Sequence, residues 1–204
     1  MAVEREIKSP VTETFTLPDL DGTAGLRAID RGVRMLEATY WDTDSLLLMR
    51  SGYGLRYRTT DGAAGRWTLK AGSRRVGDAM VREELELEGT PGEMPPEVCE
   101  RLAGVAPASA LHPVATLRTA RHIVDLQAGG TPWAEVADDT VSVRDGDREV
   151  ERFREVEVEL HGDDDGARVA AVLARLREAG AGLPESSSKY VRALRALGYD
   201  VPSR

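Results

Sequence analysis

The 204-residue chain has a single cysteine, Cys99, so no intrachain disulfide can hold it together. Aromatic residues are scarce, with two Phe, three Trp and five Tyr. The three histidines, His112, His122 and His161, match no zinc-site spacing. No apolar run approaches the roughly 20 residues that cross a bilayer as a helix. The opening Met-Ala-Val-Glu-Arg lacks the apolar core of a secretory signal. A glycine-rich phosphate loop is missing too: Gly52 and Gly54 flank Tyr53 as turn glycines, with no Lys-Ser/Thr and helix behind them. A net charge of −8 removes any general attraction to nucleic acid. The expectation is a soluble protein of the reducing cytoplasm, without membrane or nucleic-acid partners. Oligomeric state is not legible.

What the chain has in excess is charge. Asp, Glu, Lys and Arg make up 30% of it, above the usual quarter, beside a hydrophobic fraction of 41%. The length suits one domain with a sizeable core. Strand signals dominate: Val3 to Lys8, Val33 to Trp41, Gly54 to Thr60, Arg66 to Ala71, Met80 to Glu88, Val114 to Leu126, Trp133 to Arg144 and Glu149 to Leu160. Asp61-Gly62 and Asp145-Gly146 read as hairpin turns. Thr43 or Asp44 caps a short helix through Leu46 to Arg50, and Pro95 opens another to Leu102. Asp163 to Asp165 reads as a solvated helix start before an amphipathic stretch from Ala167 to Ala179, and Ser188 to Leu197 forms a last helix. Trp41, Trp67 and Trp133 read as packing aromatics, and Cys99 as a small core residue.

The strands carry their charge with period two, which puts it on one face. Glu155-Val-Glu157-Val-Glu159-Leu160 presents three carboxylates on one side and three aliphatics on the other. Glu84, Glu86 and Glu88 repeat this with Arg82 in phase. Glu4, Glu6 and Lys8 share a face, as do Arg56 with Arg58, and Lys70 with Thr68; Arg121 and Asp138 add charge to two further strands. One such strand means only a sheet with a wet side. The same pattern on most strands, with acids and bases segregated to different ones, means more, because like charges opposed across a sheet destabilise it. A closed barrel with the charged face inward and an apolar outside covered by helices accounts for the set. Eight strands leave room for one small ligand. A polyphosphate would neutralise the basic region, and Mg²⁺ or Mn²⁺ the acidic one.

In order along the chain, Glu4-x-Glu6-x-Lys8, Tyr40-Trp41-Asp42-Thr43, Leu55-Arg56-Tyr57-Arg58, Trp67-Thr68-Leu69-Lys70, Arg82-x-Glu84-x-Glu86, Arg121, Asp138, Glu155-x-Glu157-x-Glu159 and Ser188-Lys189-Tyr190 resemble the signatures of the CYTH family, the triphosphate tunnel metalloenzymes. The resemblance spans nearly the whole chain. It implies an α+β fold, an eight-stranded antiparallel β-barrel tunnel with a charged interior and helices packed outside. Residues 1–204 would form one such domain, and with the sequence ending at Arg204 no helical CHAD domain is expected. Family members include inorganic, thiamine and RNA triphosphatases and class IV adenylate cyclases.

The resemblance implies metal-dependent hydrolysis of a small triphosphate, foremost inorganic tripolyphosphate. Alternatives are cyclic AMP formation from ATP, or polyphosphate binding without turnover. Lys8, Arg56, Arg58, Lys70, Arg82, Arg118, Arg121 and Lys189 are the expected substrate-binding residues, Arg121 ahead of Arg118 because the two differ in parity. Glu4, Glu6, Glu84, Glu86, Asp138, Glu155, Glu157 and Glu159 are the expected ligands of two Mg²⁺ or Mn²⁺ ions, with Glu155 and Glu157 ahead of Glu159. Lys8, Lys70, Glu84 and Lys189 form the expected catalytic set.

Overall fold

The computed structural model describes residues 2–161 and 166–201. Strand-forming alternation becomes eight strands: β1 (Ala2–Val11), β2 (Arg27–Asp42), β3 (Gly54–Thr60), β4 (Arg66–Val76), β5 (Ala79–Glu88), β6 (His112–Ala128), β7 (Thr131–Asp145) and β8 (Arg148–Leu160). They pair in the closed order β1-β5-β4-β3-β2-β6-β7-β8, and every pairing is antiparallel. Closure occurs where β1 meets β8, with Lys8 opposite Glu157 and Glu6 opposite Glu159. The β3–β4 hairpin turns on Asp61 and Gly62, both left-handed at φ 51° and 72°, a conformation that Asp tolerates and Gly adopts freely. The expected acidic turn at residues 163–165 lies outside the described residues.

Among the described residues, four α-helices accompany the strands: α1 (Leu47–Arg50), α2 (Pro96–Leu102), α3 (Gly166–Glu178) and α4 (Lys189–Ala196). Val172, Leu173 and Leu176 of α3 pack on the outward-facing Val136, Val156 and Val158. Val98 and Leu102 of α2 cover Leu55, Trp67 and Leu69. Each such fully buried side chain contributes about 1.5–3 kcal/mol. Trp41 and Trp67 meet edge to face within the second of these layers, and Trp133 lies in the first.

The fourth helix departs from the expected arrangement of helices outside and charge inside. Leu117, Val141, Val143 and Phe153 share the inward face with the charged residues of their strands, yet they are apolar. Tyr190, Ala193 and Leu194 of α4 pack against them, so this helix fills part of the barrel interior. Its register is fixed by a buried carboxylate at the end of β2. Asp42 accepts hydrogen bonds from the Tyr190 hydroxyl at 2.8 Å and from the backbone N–H groups of Thr43, Leu48 and Met49 at 2.8–2.9 Å. Tyr190 also stacks on Tyr40, with ring centroids 4.7 Å apart and planes 2° from parallel. Ser188 caps the helix by accepting from the Val191 N–H.

Candidate functional site

Residues directly opposed in an antiparallel pair lie on the same face, so the register alone identifies the inward set. Lys70 opposes Glu84, and Arg56 opposes both Tyr40 and Thr68. Arg121 opposes Asp139, which opposes Glu155. Glu135 opposes Glu159, which opposes Glu6. These side chains surround a cavity of about 800 Å³ that is lined by Glu4, Glu6, Lys8, Arg56, Arg58, Lys70, Arg82, Glu84, Glu86, Arg121, Glu135, Glu157, Glu159 and Lys189, among others. The alternation that on one strand alone would mean only a wet sheet face is, as expected for the set, the wall of a highly charged cavity.

The charges are organised into zones. Around β1, Glu4 receives the Lys70 ammonium at 2.7 Å and the Arg82 Nε at 2.7 Å, while Arg82 also reaches Glu6 at 2.8 Å. Burial pushes the Glu4 carboxyl up, but Lys70 and Arg82 outweigh it and hold the group below its ordinary value. At Arg58 on β3 the balance is reversed, whereas for Arg56 beside it burial is outweighed by Tyr40, Glu84 and Glu4, which hold it charged. The Arg58 guanidinium is pushed down to about 10, chiefly by neighbouring Arg56, then by burial and by Arg121. Its nearest acid, Glu86, is 3.7 Å away. A guanidinium crowded by two others inside a protein is a poor way to build a fold and a good way to await an anion.

Deepest in the wall lie Asp139, Glu155 and Glu157, with carboxylate oxygens within 4.8 Å of one another. Lys189 enters this cluster from the first turn of α4, with its ammonium 2.5 Å from Glu155, 2.5 Å from Glu157 and 3.0 Å from Asp139. Arg121 reaches Asp139 and Glu157 at 2.6 Å each. Burial favours a neutral Glu157, but Lys189 and Arg121 overcome it and hold the carboxyl well below the usual range. Glu155, only 1% exposed, is pushed up to about 7, mainly by burial. Glu159 is also raised to about 7, by burial and then by Glu4.

Two expected site residues stand elsewhere. Asp138 faces outward and is paired at 2.8 Å with Arg154, which also donates to the Thr12, Glu13 and Phe15 carbonyls. The inward acid of that strand is its neighbour Asp139. Arg118 points to solvent, its side chain 54% exposed and paired with Glu37 on the outer face. Arg121 is the inward base, as its parity indicated. Of the three β8 acids expected to hold metal, Glu157 and Glu159 line the cavity, while Glu155 sits behind them with Asp139. Glu135 and Asp139 went unrecognised, although both are odd-numbered on one strand and could have been paired by period two.

The sequence matches the model of the CYTH domain family over residues 2–190. Among curated proteins it is 29% identical to Rv2226 of Mycobacterium tuberculosis over 210 residues, covering 95% of this chain and 40% of that protein. The chain thus spans well under half the length of that relative. Among solved structures, HpAC1 from Hippeastrum, an adenylyl cyclase candidate with a dominant triphosphatase activity, superposes with a TM-score of 0.64 at 20% identity, covering 98% of both chains. A candidate adenylate cyclase from Bacillus halodurans gives 0.63 at 20% identity, covering 94% of this chain and 98% of that one. The mimivirus capping enzyme triphosphatase gives 0.50 at 8% identity, covering 87% and 88%. With the family match running from β1 into α4 and the closed, charge-lined barrel behind it, the chain belongs to the CYTH family.

Proposed function

We propose that this domain is a metal-dependent triphosphatase whose substrate is inorganic tripolyphosphate. The observation that carries the reading is the pairing of opposites in one cavity: the Arg58 guanidinium on β3, crowded by Arg56, shares it with Glu159, a carboxylate that burial drives toward neutrality. A polyanion would relieve the first and a divalent cation the second. The donor set fits such a cation, because Asp139, Glu155 and Glu157 offer hard oxygens, with no His or Cys among them. Glu4, Glu6, Glu84, Glu86, Glu135 and Glu159 stand close by on the same wall.

Phosphoryl transfer needs chiefly positioning and charge stabilisation. Arg56, Arg58 and Arg121 present planar forks that match phosphate oxygens bidentately. Lys8, Lys70 and Lys189 supply point charges for the remaining oxygens, with Lys189 delivered by the Ser188-capped end of α4. Arg82, locked between Glu4 and Glu6, holds those carboxylates in place as well as adding positive charge. Bound Mg²⁺ or Mn²⁺ would supply Lewis acidity toward the phosphate and lower the pKa of a water. The acids Glu84 and Glu157 are assigned to hold that ion. The test is Glu84→Gln and Glu157→Gln: metal-dependent phosphate release is lost in both while thermal unfolding still reports a folded barrel. Full activity in both variants would remove the metal assignment.

A further inference from the structure

Asp42 does not line the cavity, yet it joins elements that do. Fully buried at the end of β2, it already accepts from the backbone N–H groups of Thr43, Leu48 and Met49 at 2.8–2.9 Å. The Tyr190 hydroxyl is a further donor, at 2.8 Å, and the one that α4 brings. Packing does not require that hydroxyl. The ring stacks on Tyr40 without it, and Ala193 and Leu194 fill the barrel beside Val141, Val143 and Phe153. What the hydroxyl adds is one height and one rotation for the start of the helix, because a hydrogen bond is directional and apolar burial is not. Lys189 is the residue before it, with its ammonium 2.5–3.0 Å from Glu155, Glu157 and Asp139. Each residue of helix is about 1.5 Å of rise and about 100° of turn. A helix start that slips by one residue therefore carries the ammonium out of all three contacts.

We infer that Tyr190 is a positioning residue, whose hydrogen bond to Asp42 sets how far Lys189 reaches into the acid cluster and so where its charge meets a bound polyphosphate. The inference rests on the triphosphate reading of the same cavity. Asp42 is tied to the Leu48 and Met49 N–H groups of α1, so the reach of α4 is referenced to the barrel wall itself. Arg192, three residues after Lys189, meets Glu151 at 3.1 Å, with its guanidinium carbon 3.8 Å from the centre of the Phe153 ring. Both partners of that ion pair are about one-third exposed, 33% and 34%, so it steadies the outer side of the helix. The Asp42 bond is the fully buried tether beside Lys189. A reacting group misplaced by about 1 Å can cost about a hundredfold in rate.

Lys8, Lys70 and Lys189 are the chain's only lysines and all line the cavity, so magnetic resonance of isotope-labelled lysine reports the ammonium groups of this site alone. In the metal-free chain, Tyr190→Phe should shift or broaden the Lys189 signal, assigned by its loss in Lys189→Met. The Lys70 signal, from an ammonium bound to Glu4, should stay in place. Calorimetry with tripolyphosphate in chelator completes the test. Tyr190→Phe should weaken binding about fivefold or more in the wild-type background and under about twofold in Lys189→Met, where nothing is left to position. Asp42→Asn, which weakens the same bond from its other end, should repeat both effects. Val172→Ala, which loosens α3 on the outside of the barrel, should lower the melting midpoint and move neither readout. An unmoved Lys189 signal, an equal loss in both backgrounds, or the same changes in Val172→Ala overturn the positioning role alone. A wild-type chain that binds no tripolyphosphate overturns the triphosphate reading and this inference with it.

Discussion

Glu155 is the residue at which function and stability should pull in opposite directions. Its carboxyl is pushed up to about 7; burial raises it most, Lys189 pulls it back, and Glu157 pushes it up again. Moving a carboxyl from 4.5 to about 7 makes the folded carboxylate unfavourable by about 3 kcal/mol relative to the unfolded chain. The sign follows from linkage. Below pH 4.5 the group is protonated folded or unfolded, and nothing is lost. Between 4.5 and 7 the unfolded chain releases the proton first, so this group's contribution to stability falls, and above 7 the loss is complete. Glu155→Gln keeps the shape and removes the charge. In chelator at pH 8 the variant should unfold at a higher temperature than wild type. The gain reaches about 10 °C if the whole 3 kcal/mol is recovered, at roughly 2–4 °C per kcal/mol for a chain of this size. At pH 4.5 the two melting curves should coincide. Added Mg²⁺ should raise the wild-type midpoint and leave the variant's where it was. Circular dichroism melts at the two pH values decide the matter. A variant less stable than wild type at pH 8, or one with the same offset at both pH values, would refute the reasoning.

Other consequences follow from the same geometry. Arg58→Met removes a guanidinium that Arg56 repels, so metal-free stability should hold or rise while tripolyphosphate affinity falls about tenfold or more, read by calorimetry. Asp139→Asn should abolish stabilisation by Mg²⁺ in a thermal shift assay, whereas Asp138→Asn should keep it, because Asp138 serves only the outer pair with Arg154. Arg118→Ala removes an exposed pair worth under about 1 kcal/mol and should leave both the melting midpoint and kcat/KM near wild type. Tyr190→Phe strips one donor from buried Asp42 and should cost about 1–3 kcal/mol in urea unfolding.

The barrel was legible because its signal is periodic. Glu155-Val-Glu157-Val-Glu159 and its counterparts on β1 and β5 assign faces by parity, whatever the register between strands. Where parity was locally ambiguous, it failed. The Asp138-Asp139 doublet offers one acid to each face, and only the pairing of Asp139 with Arg121 and Glu155 says which is inward. The start of β2 lies six residues before the expected Val33, on the far side of a register shift between Asp30 and Gly32, whose φ is 74°. The inward packing of α4 was not readable at all. Val141, Val143 and Phe153 look like ordinary strand apolars, and nothing local states that a helix some 40 residues later will meet them from within. The ion pairs of Lys189 are a tertiary fact of the same kind. Ser188-Lys189 is a short motif, and its meaning comes from the depth to which α4 carries it.

The most direct measurement is phosphate release from tripolyphosphate by the purified chain with Mg²⁺, with Mn²⁺ and with chelator. The account predicts fast release with at least one of the two ions and none in chelator. Equal release in chelator, or none under any condition from a protein that melts cooperatively, would contradict it.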